Sequence, residues 1–262
     1  MKTTGKFLYS IFAGLILLAA CSEMMSSNDS AVNGGNGQGG SMARFTINGN
    51  YMYTVDRQTL KMFDLSNAAQ PNYLERKDQK LGFGIETIFS MDTLLFIGSQ
   101  DGMYIYNVAR PEFPQQLSFV SHIRSCDPVV ASGNYAYVTL NSEQVRCGNT
   151  SNVLNIYDIS DLRRPVLKVT ESLNTPKGLG VDGDKLFVCD ARLGVKVYDV
   201  SNPLQPLWID DWSHQPETGK ATAYDVIPVN GLLLVTADQG LYQFDYTGEK
   251  LRFVSKITIV NK

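Results

Sequence analysis

The pentapeptide Val197-Tyr198-Asp199-Val200-Ser201 has counterparts at four other places in the chain. Each copy has an aromatic residue followed by Asp or Asn, and in most copies an aliphatic and a small residue come next. The other four are Met62-Phe63-Asp64-Leu65-Ser66, Ile105-Tyr106-Asn107-Val108-Ala109, Ile156-Tyr157-Asp158-Ile159-Ser160 and Gln243-Phe244-Asp245-Tyr246-Thr247. Successive Asp or Asn residues are 41 to 51 positions apart, a period typical of repeat proteins.

Turn signals and apolar runs divide each repeat further. A proline follows the Asp or Asn by seven positions in the first four repeats, at Pro71, Pro114, Pro165 and Pro206. About fifteen residues before each Asp or Asn lies a hairpin signal. These signals are Asn48-Gly49-Asn50, Met91-Asp92, Gly133-Asn134, Asp182-Gly183-Asp184 and Asn230-Gly231. Short runs rich in β-branched and aromatic residues flank them and predict strands.

Each repeat therefore holds four predicted strands, which is the pattern of a propeller blade. We predict an all-β fold, a five-bladed β-propeller of four-stranded antiparallel blades, over residues 42–262. The predicted blades span about 42–80, 81–125, 126–174, 175–218 and 219–262. The ring could be latched if Ile257-Thr258-Ile259-Val260 pairs with the first blade.

The fourth repeat, from Leu186-Phe187-Val188-Cys189-Asp190 to Asn202-Pro203, resembles the LVIVD repeat of bacterial and archaeal envelope propellers. The resemblance extends over roughly residues 43–255 and is weakest in the fifth repeat. The five repeats lack the Gly-His and Trp-Asp pairs of WD repeats and the double glycine of kelch repeats. The resemblance implies a propeller fold, and it brings no catalytic residues and no cofactor with it.

The first residues predict export and lipid anchoring. Lys2 and Lys6 precede an apolar run that ends in Leu18-Ala19-Ala20-Cys21, which resembles a bacterial lipobox. That run is too short for the ~20 residues of a membrane-spanning helix. We therefore expect a lipoprotein signal peptide over residues 1–20, lipidation of Cys21 and a flexible tether rich in Gly, Ser and Asn over residues 21–41. The expected location is the bacterial outer membrane, facing the periplasm or the cell surface.

Charge and cysteine content restrict the partners further. Removing residues 1–20 takes away Lys2 and Lys6 and no acid, so the formal net charge changes from −3 to −5. An acidic chain of this kind argues against a nucleic-acid partner. In an oxidising envelope we expect a disulfide between Cys126 and Cys147. Cys189 lies in an apolar run and is expected to be a small buried residue.

Two faces of the predicted propeller differ in character. The repeated Asp and Asn corners are interpreted as structural turns whose side chains accept backbone N–H bonds. The opposite face carries varied loops on a rigid frame, as recognition surfaces do. Its candidate ligand-binding residues are Asp56, Arg57, Asp101, His122, Arg124, Lys177, Asp190, Arg192, Asp238 and Gln239. Trp208 could stack on a sugar, although packing between blades is the favoured interpretation.

No catalytic motif accompanies these loops. The chain lacks a Gly-x-Ser-x-Gly elbow, a His-Glu-x-x-His motif and a phosphate loop. With only His122 and His214, no metal site based on histidine is expected. We expect no cofactor and a binding or scaffold module for an envelope protein or glycan. The alternative is a glycosidase or lyase that uses Asp56, Asp190 and Asp238 at the channel mouth.

Overall fold

Every repeat forms one antiparallel sheet, in agreement with the prediction of a five-bladed β-propeller. The computed structural model describes residues 39–122, 128–141, 152–191, 193–214 and 221–259. Within these ranges the only helical segments are two 3₁₀ turns, Glu75–Lys77 and Trp212–His214. No helix in the described ranges is both long and apolar enough to span a membrane.

The first two blades lie before residue 122. Blade 1 contains β1 (Phe45–Asn48), β2 (Tyr51–Val55), β3 (Thr59–Asp64), β4 (Asn72–Tyr73) and β5 (Gln79–Lys80). Blade 2 contains β6 (Ile85–Met91), β7 (Leu94–Ser99), β8 (Gly102–Asn107) and β9 (Gln115–Ser121). In blade 1 both short strands pair with β3, so its outermost position is divided between β4 and β5.

The last three blades are regular four-stranded meanders. Blade 3 contains β10 (Val129–Ser132), β11 (Tyr135–Leu140), β12 (Val153–Asp158) and β13 (Val166–Ser172). Blade 4 contains β14 (Pro176–Asp182), β15 (Lys185–Asp190), β16 (Gly194–Asp199) and β17 (Leu207–Asp211). Blade 5 contains β18 (Ala223–Val229), β19 (Leu232–Ala237), β20 (Gly240–Asp245) and β21 (Arg252–Thr258).

The repeated Asp and Asn residues form the corners after the third strand of each blade. Each side chain accepts a hydrogen bond from the backbone N–H two residues later. The five pairs are Asp64 with Ser66, Asn107 with Ala109, Asp158 with Ser160, Asp199 with Ser201 and Asp245 with Thr247. The Ser66 and Ser160 hydroxyls, followed by these backbone bonds, lower the pKa of Asp64 and Asp158. The Ser201 amide has the largest lowering effect on the pKa of Asp199. The structural interpretation of the corners is confirmed.

The predicted hairpin turns are also confirmed, since each one joins the first and second strands of a blade. Four of the five turns use a glycine in the left-handed region. At the second turn Asp92 takes this conformation, with a φ of 51°. Asp tolerates that region better than most residues with a side chain, which explains how a turn without glycine keeps the same geometry.

Hydrophobic clusters join each blade to the next along the chain. Cys189, Trp212 and Tyr242 belong to the cluster between blades 4 and 5. Tyr53 and Ile97 belong to the cluster between blades 1 and 2, and similar clusters join blades 2 and 3 and blades 3 and 4. Cys189 is fully buried with a free thiol, as predicted from its apolar strand.

The seam between blades 5 and 1 is packed differently. Among the described residues no hydrophobic cluster joins these two blades, and β18 does not lie along β1 as other neighbouring inner strands do. On blade 5, Ile227 pairs with Leu234 on the face that would meet blade 1, and both remain partly exposed. On blade 1, Met52 pairs with Phe63 on the matching face, and both are also partly exposed.

The start of the described chain closes the ring at one end of this seam. Ser41 Oγ donates to Asp225 Oδ1 at 3.0 Å and accepts a bond from the Leu179 amide at 2.8 Å. Two residues later, the carbonyl of Ala43 accepts a bond from the Ile88 amide at 2.9 Å. Residues 41–43 therefore connect the inner strands of blades 5 and 4 to that of blade 2.

The C-terminal latch considered in the sequence analysis is not used by the described residues. Ile257 pairs with Leu241 inside blade 5, and the Ile259 amide bonds to the Gln239 carbonyl. Blade 5 is thus completed by its own fourth strand, which follows β20 directly. The ring is closed instead by residues near the beginning of the propeller.

A candidate ligand pocket at the channel mouth

A cavity of about 460 Å³ opens where the inner strands of the five blades begin. We call it the mouth pocket. Its lining residues are Met42, Arg44, Glu86, Thr87, Pro128, Asn141, Pro176, Lys177 and Tyr224. Every blade contributes at least one of them, because these residues lie at the beginning of the inner strands or beside them. The propeller therefore forms one shared concave site at this end of its channel.

Arg44 is held by the backbone of the neighbouring blade. Its Nε donates to the Glu86 carbonyl at 3.2 Å and its Nη2 donates to the Ile85 carbonyl at 3.3 Å. A guanidinium group has five N–H donors, so these two bonds orient the group and leave donors for a ligand. The Glu86 carboxylate accepts a bond from Gln100 Nε2 at 3.0 Å.

Lys177 and Tyr224 contribute to the pocket from blades 4 and 5. The ammonium of Lys177 is 5.6 Å from the centroid of the Tyr224 ring, and Tyr224 is 41% exposed. The backbone of Lys177 is fixed by blade 3, since its carbonyl accepts a bond from Thr139 Oγ1 at 2.6 Å. Asn141 Nδ2 donates to the Pro176 carbonyl at 2.5 Å. This wall of the pocket is therefore preorganised.

Asp225 lies next to the mouth pocket, beside Tyr224, and is partly buried. Burial raises the pKa of Asp225 to about 6, against the opposing effect of the bonds from Met42 and Ser41. The ring is tight here, because a Cβ on Gly178 would lie 2.1 Å from Asp225 Oδ1. Asp225 therefore connects the first residues of the propeller to blade 5 and packs closely against blade 4.

The three acids of the enzyme alternative all bind loop backbone. Asp56 Oδ1 accepts bonds from two amides of its own loop and Oδ2 is 3.2 Å from Lys61 Nζ. Asp190 is fully buried and accepts bonds from the amides of the segment between blades 3 and 4. Asp238 accepts a bond from the Thr222 amide at 3.0 Å. None of these three carboxylates lines the mouth pocket.

The other candidate residues are distributed over the same face. Arg57 and Gln239 are exposed, and Gln239 Oε1 accepts a bond from Lys256 Nζ. The carbonyl of Asp101 accepts a bond from the His122 amide at 3.2 Å. His122 lines a second cavity of about 410 Å³ between blades 2 and 3. Of the ten candidates, the mouth pocket contains Lys177.

Several predictions concern residues outside the described ranges. They are the lipidation of Cys21, the disulfide between Cys126 and Cys147, and the candidate residues Arg124 and Arg192. These remain predictions from the sequence. Within the described ranges, no group of three or more His, Cys, Asp or Glu residues is arranged to hold a metal ion.

The favoured interpretation of Trp208 is wrong. The side chain is 50% exposed on β17, the outermost strand of blade 4, rather than packed between blades. Its Nε1 donates to the Asp210 carbonyl at 2.9 Å, and Lys196 Nζ lies 4.9 Å from its ring. The outermost strand has no further strand beside it, which leaves the ring in solvent. Trp212, by contrast, is buried against Tyr242.

Sequence reasoning missed Arg44, Glu86, Tyr224 and Asp225. A usable signal exists, because Arg44, Thr87, Leu179 and Asp225 each lie 20 residues before the corner residue of their repeat. Two of these four equivalent positions carry a charge, at Arg44 and Asp225, where the repeat elsewhere has an uncharged residue. A comparison of equivalent repeat positions could therefore have identified both residues as exceptions to the scaffold.

Solved structures support the fold. A functionally unknown protein from Desulfotomaculum acetoxidans matches with a TM-score of 0.65 and 11% identity, over 80% of this chain and 67% of that one. Apo AztD from Citrobacter koseri matches with a TM-score of 0.57 and 12% identity, over 78% and 59%. The computationally designed Ika8 protein matches with a TM-score of 0.57 and 14% identity, over 82% and 63%.

This chain thus spans about three fifths to two thirds of the length of the solved structures it resembles. At these identities the likeness concerns the fold alone, and the chain is a β-propeller with a pocket at its channel mouth. The LVIVD repeat model matches residues 39–78 and 123–172, which is less than half of the chain. The matched residues include β1 to β4 of blade 1 and all four strands of blade 3. No curated protein matches the chain in sequence.

Proposed function

We propose that the protein is a lipid-anchored binding or scaffold module of the bacterial envelope, which binds a protein or glycan partner at the mouth pocket. The observation that carries this proposal is the shared construction of the pocket, to which all five blades contribute side chains. A propeller with LVIVD repeats is compatible with such a module. A rigid frame with a concave site of this volume is a typical arrangement for ligand binding.

The envelope part of the proposal rests on the sequence. Leu18-Ala19-Ala20-Cys21 supplies the lipobox, and the Gly-, Ser- and Asn-rich residues from there up to the fixed Ser41 supply a tether. A Gly-rich tether of this length has a root-mean-square span of about 25 Å, enough to separate the propeller from the lipid headgroups. The outer membrane is the proposed location, with the propeller on its periplasmic or external side.

Binding rather than catalysis is favoured by what the loop carboxylates do. Asp190 is buried with its oxygens on backbone amides and near Lys196 Nζ, at 3.6 Å. Asp238 is bonded to the Thr222 amide. A carboxylate that holds loop backbone in this way contributes to the frame of the binding face.

Cross-linking and pull-down of the tagged full-length protein from its own outer membranes tests the proposal. The variant Lys177→Ala with Tyr224→Ala changes two side chains of the mouth pocket and leaves their backbone bonds in place. We expect partners recovered with the wild type to be lost with this double variant. The matched control is Lys250→Ala, an exposed lysine at a corner on the opposite end of blade 5, which should recover the same partners.

The two other outcomes are informative. Equal recovery by the wild type and the double variant would contradict the mouth pocket as the binding site. Recovery of the protein entirely in the soluble fraction would contradict its lipid anchoring, and the pocket would then be tested with soluble ligands.

A further inference from the structure

The mouth pocket combines cationic and anionic side chains in a protein of negative net charge. Two cations, Arg44 and Lys177, line it, together with one carboxylate, Glu86. Several other lysines and arginines in the described ranges are salt-bridged to carboxylates, as Lys196 is to Asp190. Within those ranges neither Arg44 nor Lys177 has a carboxylate partner. Their charges are therefore available to an anionic ligand.

The backbone around the pocket offers little to a bound peptide. The carbonyls of Ile85 and Glu86 are bonded to Arg44, and that of Lys177 is bonded to Thr139. Pro128 and Pro176 have no backbone N–H. An extended peptide usually binds by adding main-chain bonds to an open strand. These bonds and prolines limit main-chain pairing here, which favours recognition by side chains.

The side chains available are an aromatic ring and two donor groups. Tyr224 presents an exposed ring beside the Lys177 ammonium. The face of an aromatic ring packs against the apolar face of a sugar ring, and the polar end of the aromatic side chain stays in solvent. A guanidinium with unused N–H groups binds a carboxylate through charge-assisted hydrogen bonds. A sugar ring that carries a carboxylate matches both features.

We infer that the mouth pocket binds an acidic saccharide of the hexuronate type. Arg44 and Lys177 each offer a cation to the carboxylates of the saccharide, and Tyr224 stacks on a sugar ring. Glu86 accepts hydrogen bonds from the sugar hydroxyls with the carboxylate oxygen that Gln100 does not occupy. This inference rests on the proposed function and specifies the ligand of the same pocket.

Calorimetric titration of the full-length protein in detergent tests the inference. The probes are trigalacturonate and its trimethyl ester, which has the same rings without the charges. We expect trigalacturonate to bind at least about tenfold more tightly than the ester, because only the acid can form charge-assisted hydrogen bonds with Arg44 and Lys177. Lys177→Met should weaken trigalacturonate binding by a similar factor, and Lys177→Arg should retain most of it.

Lys250→Met is the matched control, because it removes the same charge far from the pocket, and it should bind as the wild type does. Equal affinity for acid and ester, or no effect of Lys177→Met, would overturn the inference. Binding of hexaglutamate without binding of trigalacturonate would also overturn it, in favour of an acidic peptide. If trigalacturonate fails while the pull-down still depends on Lys177 and Tyr224, the inference fails and the proposed function stands.

Discussion

Ser41 and Asp225 are 184 positions apart in sequence and share a hydrogen bond of 3.0 Å across the ends of the ring. The Met42 amide donates to the second oxygen of the same carboxylate at 3.2 Å. Ser41 also accepts a bond from the Leu179 amide at 2.8 Å. One serine thus connects the first residues of the propeller to its fourth and fifth blades.

The ionisation of Asp225 should make the protein less stable as the pH rises. Its folded-state pKa of about 6 lies above the ordinary value of 3.8, so the folded state binds the proton more tightly than the unfolded state. This stabilisation is present in full below about pH 4, decreases between pH 4 and 6, and is lost above that range. The total loss in the free energy of unfolding is about 3 kcal/mol. Urea unfolding at several pH values measures this decrease.

Asp225→Asn keeps an acceptor for Ser41 and removes the titration. We expect the stability of the variant relative to the wild type to increase from pH 4 to 6 and then to remain constant. Asp199→Asn is the control with the opposite sign, because the pKa of Asp199 is lowered by its bonds to Ser201. A difference between wild type and Asp225→Asn that does not change with pH would show that Asp225 does not titrate in this range.

Gly178 is required by the close approach of blades 4 and 5. An added Cβ would lie 2.1 Å from Asp225 Oδ1 and 2.8 Å from the Tyr224 carbonyl. We expect Gly178→Ala to lower the free energy of unfolding by roughly 1–3 kcal/mol through overpacking, measured by urea titration. Gly248→Ala is the matched control, since a Cβ there meets nothing within 4 Å. Similar stabilities for both variants would contradict the tight contact.

Cys126 and Cys147 are predicted to form a disulfide, while Cys189 is a buried free thiol. Thiol titration of the unfolded, lipidated protein should find one free thiol before reduction and three after it. Cys126→Ser with Cys147→Ser should lower stability by about 3 kcal/mol in the chain-entropy description. Cys189→Ala should leave no free thiol before reduction. Three free thiols in the unreduced wild type would disprove the disulfide.

Lipidation at Cys21 predicts incorporation of labelled palmitate into the protein during growth. Cys21→Ser should abolish the label and move the protein out of the membrane fraction, because the acyl chains provide the attachment. Cys189→Ala removes a buried cysteine and should keep both label and location. Labelling of the Cys21→Ser variant would place the modification at another residue.

The fold was predictable because its determinants are repeated. Tyr198 and Asp199 have equivalents in all five repeats, and each Asp or Asn accepts the same backbone bond. A pattern that recurs five times at similar spacing reports local geometry, which depends on nearby residues alone. The seam between blades 5 and 1 was not predictable in this way. Its packing depends on the combined placement of all five blades, which is set by the four other contacts between blades.

The pocket was only partly predictable for the same reason. Lys177 was identified because it lies beside a variable connection between blades. Arg44 and Tyr224 belong to different repeats, and they line one pocket because the inner strands of all blades begin there. Trp208 shows the opposite error, because an aromatic residue in a strand suggests burial and the strand proved to be the outermost one. A correct prediction for both residues would require knowing which position in its blade each strand occupies.

The unequal seams imply an order of folding. Four of the five blade contacts join neighbours in the chain through hydrophobic clusters, so they can form one after another, as in a linear array of repeats. The bonds of Ser41 to Asp225 and Leu179 can form only when both ends of the array have come together. Docking of Ser41 is therefore expected as the last step of folding, and its release as the first step of unfolding.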